Sequence, residues 1–124
     1  AFESFKKLAV DLSPSLEPAF INGNKLHLTI TILSLESPEK IKAVVDIMAS
    51  HLQHSPLKKP LSIRLKGLKI LKGTPEACKL LYVNPEIPSQ LDDFSRSLLK
   101  VFVDGGFASD LSVKWHCTLA NSKY

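Results

Sequence analysis

The chain has 124 residues, 44% apolar and 23% charged, which suits one compact soluble domain with a hydrophobic core and argues against a disordered or fibrous chain. Its net charge of +4 favours an anionic ligand such as RNA or a nucleotide, without naming one. No apolar run is long enough to span a membrane and no signal peptide opens the chain, so the sequence reads as intracellular, in the nucleus, the cytoplasm or both.

In chain order, residues 1–12 place Phe2, Phe5, Leu8, Ala9 and Leu12 at helical spacing, and Ser13-Pro14 stops that helix. Asn22-Gly23-Asn24 is a turn, and KLHLTITIL (25–33) alternates like a strand. A second helix begins at a Ser37 cap, with Pro38 in its first turn and Glu39 at the positive end of its dipole. Ile41, Val44, Val45, Met48 and Leu52 form its expected buried stripe. A loop over 54–60 precedes LSIRLKGLKIL (61–71), a strand or strand pair with Gly67 as bulge or turn. KLLYV (79–83) is another strand, ended by Asn84-Pro85. Residues 89–104 form a third helix through Leu91, Phe94, Leu98, Val101 and Phe102, closed by Gly105-Gly106. LSVKWHCTLA (111–120) is the final strand.

This order contains an echo. Each half carries a helix followed by a strand bearing histidine, an apolar residue and threonine, but flanking elements are missing from each half. The chain also starts at Ala1 rather than methionine. The sequence thus reads as one domain over 1–124, trimmed at one or both ends. Cys78 and Cys117 stand in apolar surroundings and read as two free thiols rather than a disulfide. No cysteine or histidine cluster has metal-ligand spacing, so neither a metal nor another cofactor is expected.

The repeated tripeptides are His27-Leu28-Thr29 and His116-Cys117-Thr118. On a strand, residues i and i+2 share a face, so each would present an imidazole beside a hydroxyl. Two such strands supply what phosphodiester cleavage needs. One neutral imidazole takes a proton from the attacking water or ribose hydroxyl, and the other, as imidazolium, returns one to the departing oxygen. The threonine hydroxyls donate to the non-bridging oxygens, where charge grows in the transition state. With only four histidines and four threonines in the chain, two such motifs on apolar strands are hard to assign to composition.

These paired motifs resemble those of the 2H phosphoesterase superfamily, whose signature is two His-x-Thr/Ser motifs with apolar flanks. KLHLTITILSL and VKWHCTLANSKY are most similar to its eukaryotic branch, which contains activating signal cointegrator complex subunit 1 and the central domain of A-kinase anchoring proteins. The first is the closer, through the KLHLTI core, the following Ser-Pro-Glu-Lys-Ile helix start, and the lysine and apolar residue before the second histidine. The resemblance covers nearly the whole chain. It implies an α+β, bilobal LigT-like fold with two antiparallel sheets flanking a central cleft and helices packed outside. It also implies that His27 and His116 are catalytic and that Thr29 and Thr118 bind the substrate phosphate. Members open 2′,3′-cyclic phosphates, trim RNA 3′ ends, join or break 2′–5′ bonds, or bind nucleotides. The partners implied are RNA or a nucleotide with a terminal or cyclic phosphate, and subunits of a coactivator or repair complex. The expected activity is a metal-independent phosphodiesterase. A binding module using the same cleft without turnover is the alternative, ahead of an interaction scaffold.

Further candidates rank lower. Lys114 would share the His116 face, Tyr82 could stack on a base, and Thr31 extends the His27 face as pocket wall. Trp115 falls on the core face of its strand. His51 and His54 suit the C-terminal end of the second helix. Lys58, Lys59, Arg64, Lys66, Lys69 and Lys72 form either a basic track for a nucleic-acid backbone or the solvated edge of a sheet. Lys123 and Tyr124 stand too near the end of the sequence to assign.

Overall fold

A computed structural model describes residues 1–55, 57 and 59–122. Lys58, Lys123 and Tyr124, weighed above, lie outside the described residues. The fold is α+β. Its elements are α1 (Phe2–Leu12), two 3₁₀ segments (Pro14–Ala19 and Gly23–Lys25), α2 (Pro38–Gln53), β1 (Arg64–Gly73), β2 (Cys78–Glu86), α3 (Ser89–Asp104) and β3 (Cys117–Asn121). Among the described residues there is one sheet, three-stranded in the order β1-β2-β3, where the resemblance implied two.

The chain divides into two compact units. The first contains residues 1–28, 65–85 and the segment from His116. Here α1 and the aromatic cluster of Phe2, Phe5 and Phe20 cover the sheet, with Phe20 edge-on to Phe2 and Phe5 at ring separations of 6.3 and 6.0 Å. β1 and β2 are joined by a tight turn in which Thr74 and Ala77 exchange backbone hydrogen bonds. Gly73, at φ +96°, is required there, because a Cβ would strike the Ala77 carbonyl and the Lys79 amide. β2 pairs antiparallel with β3, Val83 opposite Cys117 and Tyr82 opposite Thr118, then Leu81 opposite Ala120. The register shift at Leu81/Tyr82 is a bulge that leaves Leu119 as the extra residue. Two apolar cavities lie between α1 and this sheet. One of about 410 Å³ touches Phe5, Ala9, Ile70, Leu81 and Ala120, and one of about 270 Å³ touches Phe2, Leu65, Leu68, Val83 and Cys117.

The second unit contains residues 29–64 and 86–115. Its core is Val44 of α2 against Leu98 and Phe102 of α3, with Leu33, Ile47, Phe94 and Phe107 packed around them. The Ser37 side chain accepts from the Lys40 amide, the capping bond expected of it. Asp92 in the first turn of α3 accepts from the Trp115 indole at 2.8 Å and from Arg96 Nε at 2.7 Å.

Several sequence expectations are corrected. KLHLTITIL is not a strand: residues 26–36 have no regular secondary structure, and Ile32, on the apolar face of the expected alternation, is 85% exposed. A strand needs a ladder partner as well as alternation. The β3 edge is instead met by Phe20 and Ile21, through a Phe20–Ala120 bridge and an Ile21 amide bond to Leu119, before the turn at Gly23–Lys25 breaks the run. The final strand is shorter than 111–120, because Asp110 takes the Ser112 amide in a local turn and Asp92 holds Trp115. Trp115 therefore packs off the sheet. β2 continues through Asn84-Pro85 to Glu86, past the Val83–Cys117 pair where its described pairing with β3 ends. On α2 only Val44 of the expected stripe is buried, and Ile41, Val45, Met48 and Leu52 are exposed. The helix turns its Val44–Ile47–His51 face to its neighbour, where His51 Nε2 lies 3.2 Å from Ser97 Oγ and the ring packs on Phe94. His54 caps the same helix, its Nδ1 2.9 Å from the Ser50 carbonyl.

Candidate functional site

Both motif histidines lie in the first unit, as do Leu28, Cys117 and Thr118, while Thr29 falls in the second. Leu26, next to His27, and Cys117 line the same cavity, which sets the middle of the second motif beside the head of the first. Burial pushes the Cys117 thiol pKa up, and the His27 amide partly offsets this. Cys117 is 4% exposed and sits with Leu26 on the wall of the smaller cavity, so an apolar layer backs the motif junction.

The His27 ring is exposed, and its Nδ1 lies 2.8 Å from the Lys25 carbonyl. A carbonyl only accepts, so Nδ1 carries the hydrogen and Nε2 is the nitrogen available for proton transfer. The turn at Gly23–Lys25 aims that carbonyl at the ring; its start is held by Asn22, whose side chain accepts from the Asn24 amide at 3.0 Å.

His116 stands immediately before β3 and is half-buried. Its ring meets that of Tyr82 edge-to-face, with centroids 5.8 Å apart and planes 76° apart. Because Tyr82 opposes Thr118 across the ladder, His116, Thr118 and Tyr82 occupy one face of the sheet. Val83, Cys117, Leu81 and Ala120 point to the other face, toward α1. Tyr82, whose register could not be read from sequence, is thereby fixed on the histidine face.

The other candidates belong to the second unit. Thr29 and Thr31, half-buried in irregular backbone, open the second unit. Lys114 also belongs to the second unit and precedes β3, so the shared strand face expected for it and His116 does not form. Two features escaped sequence reasoning. The placing of Cys117 beside Leu26 left no signal beyond the small, polarisable residue at the centre of the second motif. The Lys25 carbonyl left none, since backbone direction is invisible to residue type. Among the described residues no group of three or more His, Cys, Asp or Glu side chains could hold a metal ion, and no helix is long and apolar enough to cross a membrane.

Comparison with known proteins fits this arrangement. A family model described as the AKAP7 2′5′ RNA ligase-like domain matches residues 1–124. The chain is 27% identical over 116 residues to the uncharacterized protein C15D4.13c of Schizosaccharomyces pombe, covering 90% of this chain and 54% of that protein. It therefore spans about half the length of the curated relative it matches. With two His-x-Thr motifs in the sequence and the family match running from end to end, the chain belongs to the AKAP7 2′5′ RNA ligase-like domain family, within the 2H phosphoesterase superfamily.

Proposed function

We propose that the protein is a 2H phosphodiesterase that acts on RNA ends or 2′,3′-cyclic phosphates by acid–base catalysis between His27 and His116. The observation that carries this reading is that Leu26, next to His27, and Cys117 line one cavity of the first unit, which brings the histidines of motifs from opposite ends of the sequence into one unit. In the proposed reaction, one imidazole takes a proton from water as its oxygen attacks phosphorus. The other delivers a proton to the ribose oxygen as the P–O bond breaks, and the two rings end with exchanged protonation states. His27 would act through Nε2, because Nδ1 is committed to the Lys25 carbonyl. Thr118, and Thr29 by its place in the first motif, would donate to the non-bridging oxygens. The two-sheet form of the family fold, a location in the nucleus or cytoplasm, and a place in a coactivator or repair complex belong to the same proposal. So does the finer likeness to the cointegrator subunit, which rests on the KLHLTI core.

The test is turnover, in the presence of chelator, of short RNAs ending in a 2′,3′-cyclic phosphate or a 3′-hydroxyl. His27→Ala and His116→Ala should each lower turnover by roughly 10²–10⁴. Wild-type protein no more active than the two variants would remove the enzyme assignment. Binding without turnover would support the alternative, a nucleotide- or RNA-end-binding module on the same residues.

A further inference from the structure

β1 carries Arg64, Lys66, Lys69 and Lys72 and no acidic residue. All four are exposed, and none is in an ion pair among the described residues. The helices behave differently: Lys7, Lys40, Lys42, Arg96 and Lys100 each meet a carboxylate four residues away, between 2.7 and 3.1 Å. The positive field of the first unit is therefore concentrated on the β1–β2 hairpin, where residues 65–85 hold four lysines against one glutamate.

Strand geometry assigns two of these lysines to a face. Leu65 and Leu68 touch the smaller cavity under α1, and Ile70 the larger. Gly67, at φ +92° inside an unbroken strand, is the bulge that puts both Leu65 and Leu68 on the α1 side with two residues between them. Lys66 and Lys69 consequently take the opposite face. That face also carries Tyr82, Thr118 and His116, and the strand order places Tyr82 of β2 between the lysines and the histidine.

We propose that Lys66, Lys69 and Tyr82 form a track for single-stranded RNA that extends from His116 across the sheet, with the lysines on phosphodiester oxygens and the Tyr82 ring against a base. The proposal rests on the reading that a reacting phosphate sits at His116. Adjacent strands are about 4.8 Å apart, so β1 runs roughly 10 Å from β3. That spacing suits the phosphates of neighbouring nucleotides on a strand lying across the sheet. The track selects an oligonucleotide over a lone cyclic nucleotide. The competing role for edge-strand lysines is to block strand-to-strand pairing, a role indifferent to RNA length.

The experiment is fluorescence anisotropy with labelled oligouridylates of two, four and eight nucleotides ending in a 3′-phosphate, between 50 and 200 mM salt. It compares wild type, K66Q/K69Q, and K7Q/K42Q as a control for charge removed from the helices. Wild-type affinity should rise with length. In K66Q/K69Q the eight-nucleotide affinity should fall about tenfold, and the slope of log K against log salt should flatten by about 1.4, as for two lost phosphate contacts on a single strand. Circular dichroism of the variants guards against a folding defect, since both substitutions are at exposed positions. Length-dependent, lysine-dependent binding by a protein that turns over no RNA would defeat the enzyme assignment and leave the track standing. Equal losses in the control, affinity independent of length, or aggregation of K66Q/K69Q with unchanged RNA binding would overturn the track. Equally strong, lysine-dependent binding to phosphatidylserine vesicles, with no length dependence in RNA, would overturn it in favour of a membrane surface.

Discussion

Asp92 shows how a single residue joins segments that the sequence keeps apart. Its carboxylate accepts from Arg96, a helical neighbour legible in the spacing, and from the indole of Trp115, which is not. The Arg96 hydrogen bond, then that of Trp115, holds the Asp92 pKa below its ordinary value of 3.8. A carboxylate depressed on folding adds stability above the unfolded-state pKa and loses it as pH falls through the folded one. Asp92→Asn keeps an acceptor for Trp115 but removes the charge. The variant should therefore unfold at lower urea than wild type at pH 7, with the gap closing as pH drops below 3.8. A gap unchanged down to pH 2 would assign the loss to packing. The Ser37 cap, by contrast, was readable in advance, because capping depends on residues only three apart.

At the level of elements, local signals were legible and partnerships were not. α1, α2 and α3 appear where their periodicity and caps put them, yet the faces they bury are set by their neighbours. α3 buries Leu98 and Phe102 of its expected line together with Ser95 and Leu99, while Val101 of that line is exposed. KLHLTITIL has the alternation of a strand and lacks the ladder, since a turn and two preceding residues occupy the edge of β3. α1 is the sharpest case. It is strongly amphipathic, but none of its residues is fully buried, and the two cavities lie beneath it. Missing contacts forfeit dispersion energy, so α1 should be the least stable of the three helices. Native-state amide exchange should open α1 through a sub-global step, while the amides around Leu98 and Leu99 exchange only on global unfolding. Equal protection in α1 and α3 would show that the helix is held better than its packing indicates.

For the whole molecule, the motifs carried more information than the architecture. Two short repeats at opposite ends of the chain were enough to indicate the superfamily, because their chemistry demands specific residue types. The division into two units and the three-stranded sheet followed from contacts between residues far apart in sequence, which composition and periodicity do not encode. The burial of the Cys117 thiol beside Leu26 also makes the junction of the motifs self-reporting. A shielded thiol meets an alkylating reagent only when its surroundings part, so in a Cys78→Ser background its labelling rate becomes a clock for that parting. The labelling should run far slower than in the urea-unfolded chain, and slower again with an RNA 3′-phosphate present. A thiol that reacts as fast folded as unfolded would mean that the two motifs come apart as readily as they meet.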